Sequence, residues 1–359
     1  TAYKLHDNSP YLFKTNDYGK NWTKITNGIP ANDFTRVIRE DPETKGLLFA
    51  GTETGIYVSF DDGGNWQSLQ LNLPVVPIHD FVIKEDDLVV ATHGRAFWIL
   101  DDISPLRELN SEVMNTPTHI FKSKDGYRFP MWRSLRPDAS SVPGMNYDRG
   151  SGPVVFSWLT EKDAQDNLVK QTYLDAGENP PDGVIICYSL KDEPKDAIKL
   201  TIVDGEGRIV NNYQSKENGA TSAPPFLQKV QGMNRFVWDM REMGADTVPG
   251  DKSVGGLDES VIGPLVVPGR YEAQLTVDGK TVSQLFNVKK NPINPSANVD
   301  LEKQHNILMK IRDTTSEIAA QVGTLRNITV QIQNWHNRLD SVGESKAAKD
   351  MASLIVKKL

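Results

Sequence analysis

A short pattern that occurs twice near the N-terminus constrains the fold more than any other feature of the sequence. Residues 15–22 read Thr-Asn-Asp-Tyr-Gly-Lys-Asn-Trp, and residues 59–66, one period of 44 residues later, read Ser-Phe-Asp-Asp-Gly-Gly-Asn-Trp. Each copy follows a short apolar or aromatic segment. A repeat of this length indicates small structural units of one kind, each packed against the next.

The residues between the two copies predict what one unit contains. Short strands are predicted at 34–39, 47–51, 55–59 and 66–70. Four strands in a period of about 44 residues are typical of a β-propeller blade. A third, degenerate copy at 94–102 keeps the strand and the acidic turn. A closed propeller needs at least four blades, so we expect the others to lie upstream in a longer protein or in a second chain.

The repeated residues have clear structural tasks within a turn. The Asp carboxylate can accept hydrogen bonds from nearby backbone N–H groups, and the Gly can adopt a positive φ. The Trp that follows opens the outer strand and can pack between blades. We therefore interpret all eight of these residues as structural: Thr15, Asp17, Gly19 and Trp22 in the first copy, and Ser59, Asp61, Gly63 and Trp66 in the second.

Both copies resemble the Asp-box (BNR) repeat, S/T-x-D-x-G-x-x-W. That repeat is specific for β-propellers and occurs in sialidases, xyloglucanase-type glycoside hydrolases and sortilin-type receptors. The resemblance implies that the boxes lie on outer turns, away from a central site. It does not select one activity.

The pattern of the chain changes twice after the repeats. Residues 104–150, with several Pro and Gly, predict a connector with little regular structure. Residues 151–290 then predict a β-sandwich of about seven strands that includes two hairpins. Part of this segment resembles flagellar hook-capping-type immunoglobulin-like domains, in the motifs LxIxDxxGxxV, GxNxxxWDxR and PGxYxAxLxVDG at 200–210, 232–241 and 268–279. The insertion at 244–264 is interpreted as a surface loop.

Apolar residues at helical spacing follow from residue 291 onward and predict helices at about 299–320, 322–340 and 345–358. A helical hairpin or small bundle is expected, and a partner-binding coiled coil is the alternative. The predicted fold is thus mainly β with α at the C-terminus. It comprises propeller blades (1–103), a connector (104–150), an immunoglobulin-like sandwich (151–290) and a helical segment (291–359).

Composition excludes several classes of function. The formal net charge of −7 argues against a nucleic-acid binder, which would carry a basic surface. No apolar run is long enough to span a membrane. The one cysteine, Cys187, excludes an intrachain disulfide and is expected to be buried rather than reactive. No metal-ligand, cofactor or nucleophile motif is present, so neither a metal nor a cofactor is predicted and catalytic residues stay unknown.

One constellation suggests a ligand site. His93 and Arg95 follow a strand that we expect to line the propeller channel, and His79 and Asp80 enter the strand before it. Together they could bind an anion or act as acid and base. The alternative is that the backbone satisfies His93 in a tight turn while Arg95 pairs with Asp101 or Asp102. Trp132, Trp158, Trp238 and Trp335 are candidates for stacking on a sugar, although a core or interface role is the commoner case for Trp.

The order of segments resembles large bacterial proteins described as sortilin-type or BNR-repeat glycosyl-hydrolase-like. This implies a location outside the cytoplasm and a C-terminal, non-catalytic module that binds polypeptide or glycan. The alternative is part of an Asp-box glycoside hydrolase whose catalytic carboxylates lie mostly upstream. The acidic groups at 61–62, 85–87 and 101–102 are interpreted as turn carboxylates, because adjacent strand residues point to opposite faces. Whether calcium binds such a turn is left open.

Overall fold

A computed structural model describes residues 1–129, 142–149, 155–162, 168–174, 181–215, 226–248, 262–342 and 346–358. The chain is mainly β, with few helices before a helical C-terminus, as the sequence predicts. It forms two compact units. Unit 1 comprises residues 1–124, 129–193 and 229–237, and unit 2 comprises residues 125–128, 194–228 and 238–359.

Unit 1 begins with a two-stranded sheet and two larger antiparallel sheets. The first sheet pairs β1 (Phe13–Lys14) with β2 (Thr23–Lys24). The second has the order β3 (Thr35–Glu40), β4 (Leu48–Thr52), β5 (Ile56–Ser59) and β6 (Gln67–Ser68). The third has the order β7 (Ile78–Lys84), β8 (Asp87–Thr92) and β9 (Phe97–Leu100). The four strands predicted within one 44-residue period are therefore present, the last of them shortened.

A common apolar core joins the second and third sheets. Phe49, Ile78, Phe81 and Leu88 are almost completely buried in one cluster with residues from both sheets. Each such side chain contributes about 1.5–3 kcal/mol when it leaves water. The alternation of β8 and β9 sends one set of side chains into this cluster and leaves the other set outside.

The segment predicted as an irregular connector carries regular structure. It contains α1 (Ser104–Glu108), α2 (Ser111–Asn115), β10 (Thr118–Ile120), β11 (Gly126–Arg128) and β12 (Gly144–Arg149). The Asn110 side chain accepts from the Val113 N–H at 2.9 Å and caps α2. β10 and β11 have three residues each, too few for a periodic sequence signal, and they pair with strands distant in the sequence. Trp132 and the neighbouring prolines at 130 and 137 lie outside the described residues.

Two further sheets complete unit 1. One has the order β12, β13 (Val155–Lys162) and β14 (Leu168–Tyr173). The other has the order β10, β15 (Val184–Leu190) and β18 (Gly232–Trp238). The last residue of β18, Trp238, belongs to unit 2. β14 was not predicted from the sequence.

Unit 2 is built on a five-stranded sheet. Its order is β11, β20 (Lys280–Lys290), β19 (Gly269–Val277), β16 (Lys199–Asp204) and β17 (Ile209–Gln214), with β11 parallel to β20. Both predicted hairpins, β16–β17 and β19–β20, are present within a residue or two. Trp238, Tyr271 and Phe286 form an aromatic core, with ring centroids 5.5–6.1 Å apart. Of the insertion at 244–264, residues 249–261 lie outside the described part.

The C-terminus differs from prediction in one respect. A single helix, α3, runs from Asn298 to Val342, where two helices were predicted. The helix continues through Gly323, because one glycine costs a helix only about 1 kcal/mol. No proline follows residue 295 to end the helix. α4 (Lys346–Lys358) follows and contacts α3, and the helical hairpin or small bundle stays a prediction. No helix in the described ranges is long and apolar enough to cross a membrane. The segment boundaries at 103, 150 and 290 stay predictions.

Candidate functional site

The two Asp-box turns have the same internal geometry. The hydroxyls of Thr15 and Ser59 each donate to the Asp two residues later at 2.9 Å. Asp17 and Asp61 each accept the backbone N–H four residues later at 2.8 Å, and the side-chain amide of the same Asn. Gly19 and Gly63 have φ of +89° and +86°. Hydrogen bonds from Asn21 and Asn65 hold the pKa of the two carboxyls below the usual range.

The two Trp residues of the boxes have different environments. Trp66 is 4% exposed, packs with residues of β4, β5 and the 25–29 segment, and donates its indole N–H to the Ile25 carbonyl at 2.8 Å. Trp22 is 60% exposed and donates only to the Gly19 carbonyl, at 3.1 Å. Trp66 therefore joins one repeat to the previous one, whereas no preceding segment in the described residues packs over Trp22 in the same way.

The predicted ligand residues meet at one end of the sheet β7–β8–β9. His79 occupies an irregularity in the register between Ile78 and Asp80, which turns its ring toward His93 beyond the end of β8. The two imidazole rings lie 4.7 Å apart at 32° to each other. Both histidines are exposed. The structure thus brings together the two histidines that the sequence separates by fourteen positions.

The charged members of the predicted site are arranged differently. Asp80 accepts from Arg39 of β3 at 2.7 Å, so its charge is partly neutralised. The Arg95 backbone N–H donates to the Thr92 hydroxyl at 3.2 Å. Its exposed side chain forms no ion pair among the described residues, so neither Asp101 nor Asp102 pairs with it. Arg95 therefore adds an exposed guanidinium two residues after His93 in the sequence.

His93 also lies in a tight turn, which is part of the alternative structural interpretation. The His93 backbone N–H donates to the Pro77 carbonyl at 2.9 Å, and Gly94 has φ of +85°, as a tight turn requires. These contacts use the backbone and leave the imidazole on the surface. The turn and an exposed pair of rings therefore coexist.

Most of the acidic residues in the turns have structural partners. Arg107 of α1 is almost buried and contacts Asp41 at 3.0 Å and Asp86 at 2.5 Å. Asp87 accepts from Lys124 at 2.8 Å and from the Asp102 N–H at 3.0 Å. Sequence analysis missed Arg107 and Asp41 because they are 66 positions apart.

The pKa of one carboxyl in this region, that of Asp101, is raised rather than lowered. Leu88 pairs with Leu100, so the antiparallel register brings Asp101 opposite Asp87. Burial and the Asp87 charge raise the pKa of Asp101. Burial also acts on Asp87, but the Asp102 N–H and Lys124 lower the pKa of that carboxyl overall. Two carboxyls with opposite pKa shifts are a pattern found in acid–base sites.

No group of three or more His, Cys, Asp or Glu in the described ranges could hold a metal ion. Burial raises the pKa of the Cys187 thiol to about 11, which makes it a poor nucleophile at neutral pH. Of the candidate sugar-stacking tryptophans, Trp158 and Trp238 are buried and Trp335 is exposed on α3.

The chain matches no protein-family model and no curated protein. Solved structures do match, among them an ancestral GH74 enzyme at 14% identity and a TM-score of 0.22. The match covers 58% of this chain and 36% of the enzyme. A similarity this weak supports no conclusion about the fold or the function of this chain.

Proposed function

We propose that this chain is a non-catalytic binding module of an Asp-box propeller protein located outside the cytoplasm. The observation that carries the proposal is the exposed group at the end of β7–β8–β9: two imidazoles 4.7 Å apart, with the exposed Arg95 two residues after His93 in the sequence. Imidazoles and a guanidinium favour a ligand that carries carboxylate groups, either an acidic glycan or an acidic polypeptide.

Binding to defined probes tests this function. We expect the chain to bind polygalacturonate or polyglutamate, but not a neutral glucan, by titration calorimetry. The double variant His93→Ala/Arg95→Ala should weaken binding at least about tenfold, since each charge-assisted hydrogen bond contributes about 1.5–3 kcal/mol. Lys84→Ala, at the far end of β7, is the matched control. Wild-type affinity in the double variant removes this site, and release of products from any probe by the chain contradicts the non-catalytic role.

The proposal includes a partner for unit 1. The face of β7–β8–β9 that does not contribute to the core exposes Val82, Phe97 and Ile99, and the first repeat exposes Trp22. In the second repeat, the equivalent Trp66 is covered by the segment that precedes it. We expect further blades upstream in the same protein, or a second chain, to cover these surfaces as neighbouring blades do.

The immunoglobulin-like sandwich is part of the same proposal. The five-stranded sheet of unit 2 and the β10–β15–β18 sheet contain the motifs that suggest it. The sortilin-type organisation and the extracytoplasmic location rest on the sequence resemblance.

A glycoside hydrolase is the second candidate, and Asp101 opposite Asp87 is the observation that favours it. Hydrolysis of a glycosidic bond requires one protonated and one ionised carboxyl about 5–10 Å apart. Asp87, however, is already bonded to Lys124 and the Asp102 N–H. Asp101→Asn should therefore leave any hydrolysis by a longer form of the protein unchanged. A large loss of turnover with preserved folding would favour the hydrolase instead.

A further inference from the structure

The C-terminal helices carry a long apolar stripe that the described part of the chain leaves exposed or only partly covered. From residue 308 to residue 332 of α3, every position in an alternating three- and four-residue spacing is apolar or Thr. The aliphatic members are Leu308, Ile311, Ile318, Val322, Leu325 and Ile332. This strict heptad spacing is the pattern of a helix that packs along another helix. Ile311 and Ile318 are 54% and 56% exposed.

Unit 2 packs against a different side of α3. His305 and Ala319 are buried on that side, and Leu301 is buried at the start of the helix, before the exposed stripe begins. Arg312 donates to the Met243 carbonyl at 3.2 Å, and Ser316 accepts from the Asp246 N–H at 3.0 Å. The heptad stripe is therefore not the surface by which the helix attaches to its own domain.

The charge distribution distinguishes this helix from an ordinary solvated one. The twenty residues 318–337 contain a single charged residue, Arg326, whereas charged residues make up 24% of the whole chain. A helix surrounded by water carries charged side chains on its exposed faces. With so few charges, two identical stripes can also approach each other without repulsion between like charges.

α4 extends the apolar surface beyond α3. Its side chains Met351, Leu354 and Ile355 are 61%, 52% and 42% exposed. About ten half-exposed apolar side chains on the two helices give roughly 500 Å² of apolar area per copy. If apolar atoms make up about 65% of the interface, the apolar and polar area together is ~750 Å² per copy. A stable dimer needs about 800 Å² per partner, which the hairpin nearly supplies.

We propose that α3 and α4 form a homodimer interface in which the hairpins of two copies combine into a four-helix bundle. A second copy fits the observations because its stripe has the same length, the same lack of charge and the same spacing. The bundle would bury the heptad positions of both copies in one core.

The molecular mass of the full 359-residue chain in solution tests this proposal. At micromolar concentrations, analytical ultracentrifugation should give the mass of two chains of 40.0 kDa each. The double variant Ile311→Glu/Ile318→Glu should raise the dissociation constant at least about 100-fold, because it places four carboxylates in the interface. Its far-UV circular dichroism should stay close to that of wild type, which separates loss of association from loss of folding.

Two control variants locate the interface. Val330→Glu lies on the same helix, is equally exposed, and falls outside the heptad stripe, so it should leave the dimer intact. Phe97→Thr/Ile99→Thr, on the exposed sheet face of unit 1, should also leave it intact. A single-chain mass for wild type overturns the proposal. A dimer that the unit 1 variant abolishes and the α3 variant does not affect overturns it too, and assigns self-association to the propeller face. Neither outcome depends on ligand binding at the histidine site.

Discussion

The carboxylate of Glu242 illustrates how one residue can hold distant segments of the chain together. Its side chain is 1% exposed and accepts two hydrogen bonds from Arg208 of the β16–β17 hairpin, at 2.7 and 3.0 Å. It also contacts His305 of α3 at 3.0 Å. Burial alone would raise the pKa of Glu242, but the hydrogen bonds from His305 and Arg208 lower it below its usual range.

This lowered pKa predicts a pH-dependent contribution to stability. The group binds a proton less readily in the folded than in the unfolded chain, so its contribution is present above the unfolded pKa and is lost as the pH falls through the folded pKa. Glu242→Gln should lower the free energy of unfolding by about 2–3 kcal/mol at neutral pH, because Arg208 loses its buried partner. The difference from wild type should shrink in acid.

Thermal unfolding followed by circular dichroism, at neutral and acidic pH, measures this effect. Glu206→Gln, in the exposed turn of the same hairpin, is the matched control and should change stability by less than about 0.5 kcal/mol. An equal loss of stability for Glu242→Gln at both pH values would show that the ionised carboxylate is not what stabilises this cluster.

At the scale of elements, the two Asp-box repeats provide an internal comparison. The Thr or Ser hydroxyl and the Asp carboxylate make the same hydrogen bonds in both turns, yet Trp66 is buried between repeats and Trp22 is exposed. The sequence motif therefore determines the turn, whereas burial of the Trp depends on the neighbouring element.

This comparison predicts unequal effects of one substitution at equivalent positions. Trp66→Ala should lower the free energy of unfolding of unit 1 by about 3–5 kcal/mol, because it leaves a cavity between β4, β5 and the 25–29 segment. Trp22→Ala should cost less than about 1 kcal/mol. Urea unfolding of both variants gives the comparison. Similar losses would mean that Trp22 is covered in solution, and would favour association through the first repeat.

Among the elements, the strands were easier to predict than the connector or the long helix. The alternation of β16 and β19 and the Asp-Gly turn signals at 204–205 and 278–279 placed both hairpins almost to the residue. α1, α2 and β10 gave no such signal, because elements of three to five residues depend on tertiary contacts. The break predicted near residue 321 was wrong, since helical spacing continues through Gly323.

At the scale of the whole molecule, apolar surfaces are left exposed in both units. In unit 1, Phe97 and Ile99 point away from the core, whereas Leu100 on the same strand packs against it. Exposed apolar patches of this kind mark interaction sites or promote aggregation.

We therefore expect Phe97→Thr/Ile99→Thr to reduce aggregation of the chain on heating without lowering its melting temperature. Thr has the β-branched shape that suits a strand, and it removes exposed apolar area. Leu100→Thr, on the opposite face, should lower the melting temperature by several degrees. Light scattering during a thermal ramp measures the aggregation, and circular dichroism over the same ramp measures the melting temperature. A comparable drop in melting temperature for the double variant would indicate that the outer face is already packed.

The sequence by itself determined what depends on neighbouring residues. The Asp-box turns, the strands of one repeat and the hairpins follow from Asp, Gly and alternating apolar residues, whose effects extend over only a few positions. It also led to the prediction that His79, Asp80, His93 and Arg95 belong to one site.

Only the tertiary structure decided the contacts between distant residues. It brought the rings of His79 and His93 together and paired Asp80 with Arg39 rather than with the other site residues. It likewise buried Glu242 between Arg208 and His305, which lie 34 and 63 positions away in the sequence. The physical reason is that burial and charge pairing depend on which surfaces meet, and no local pattern of residues specifies that.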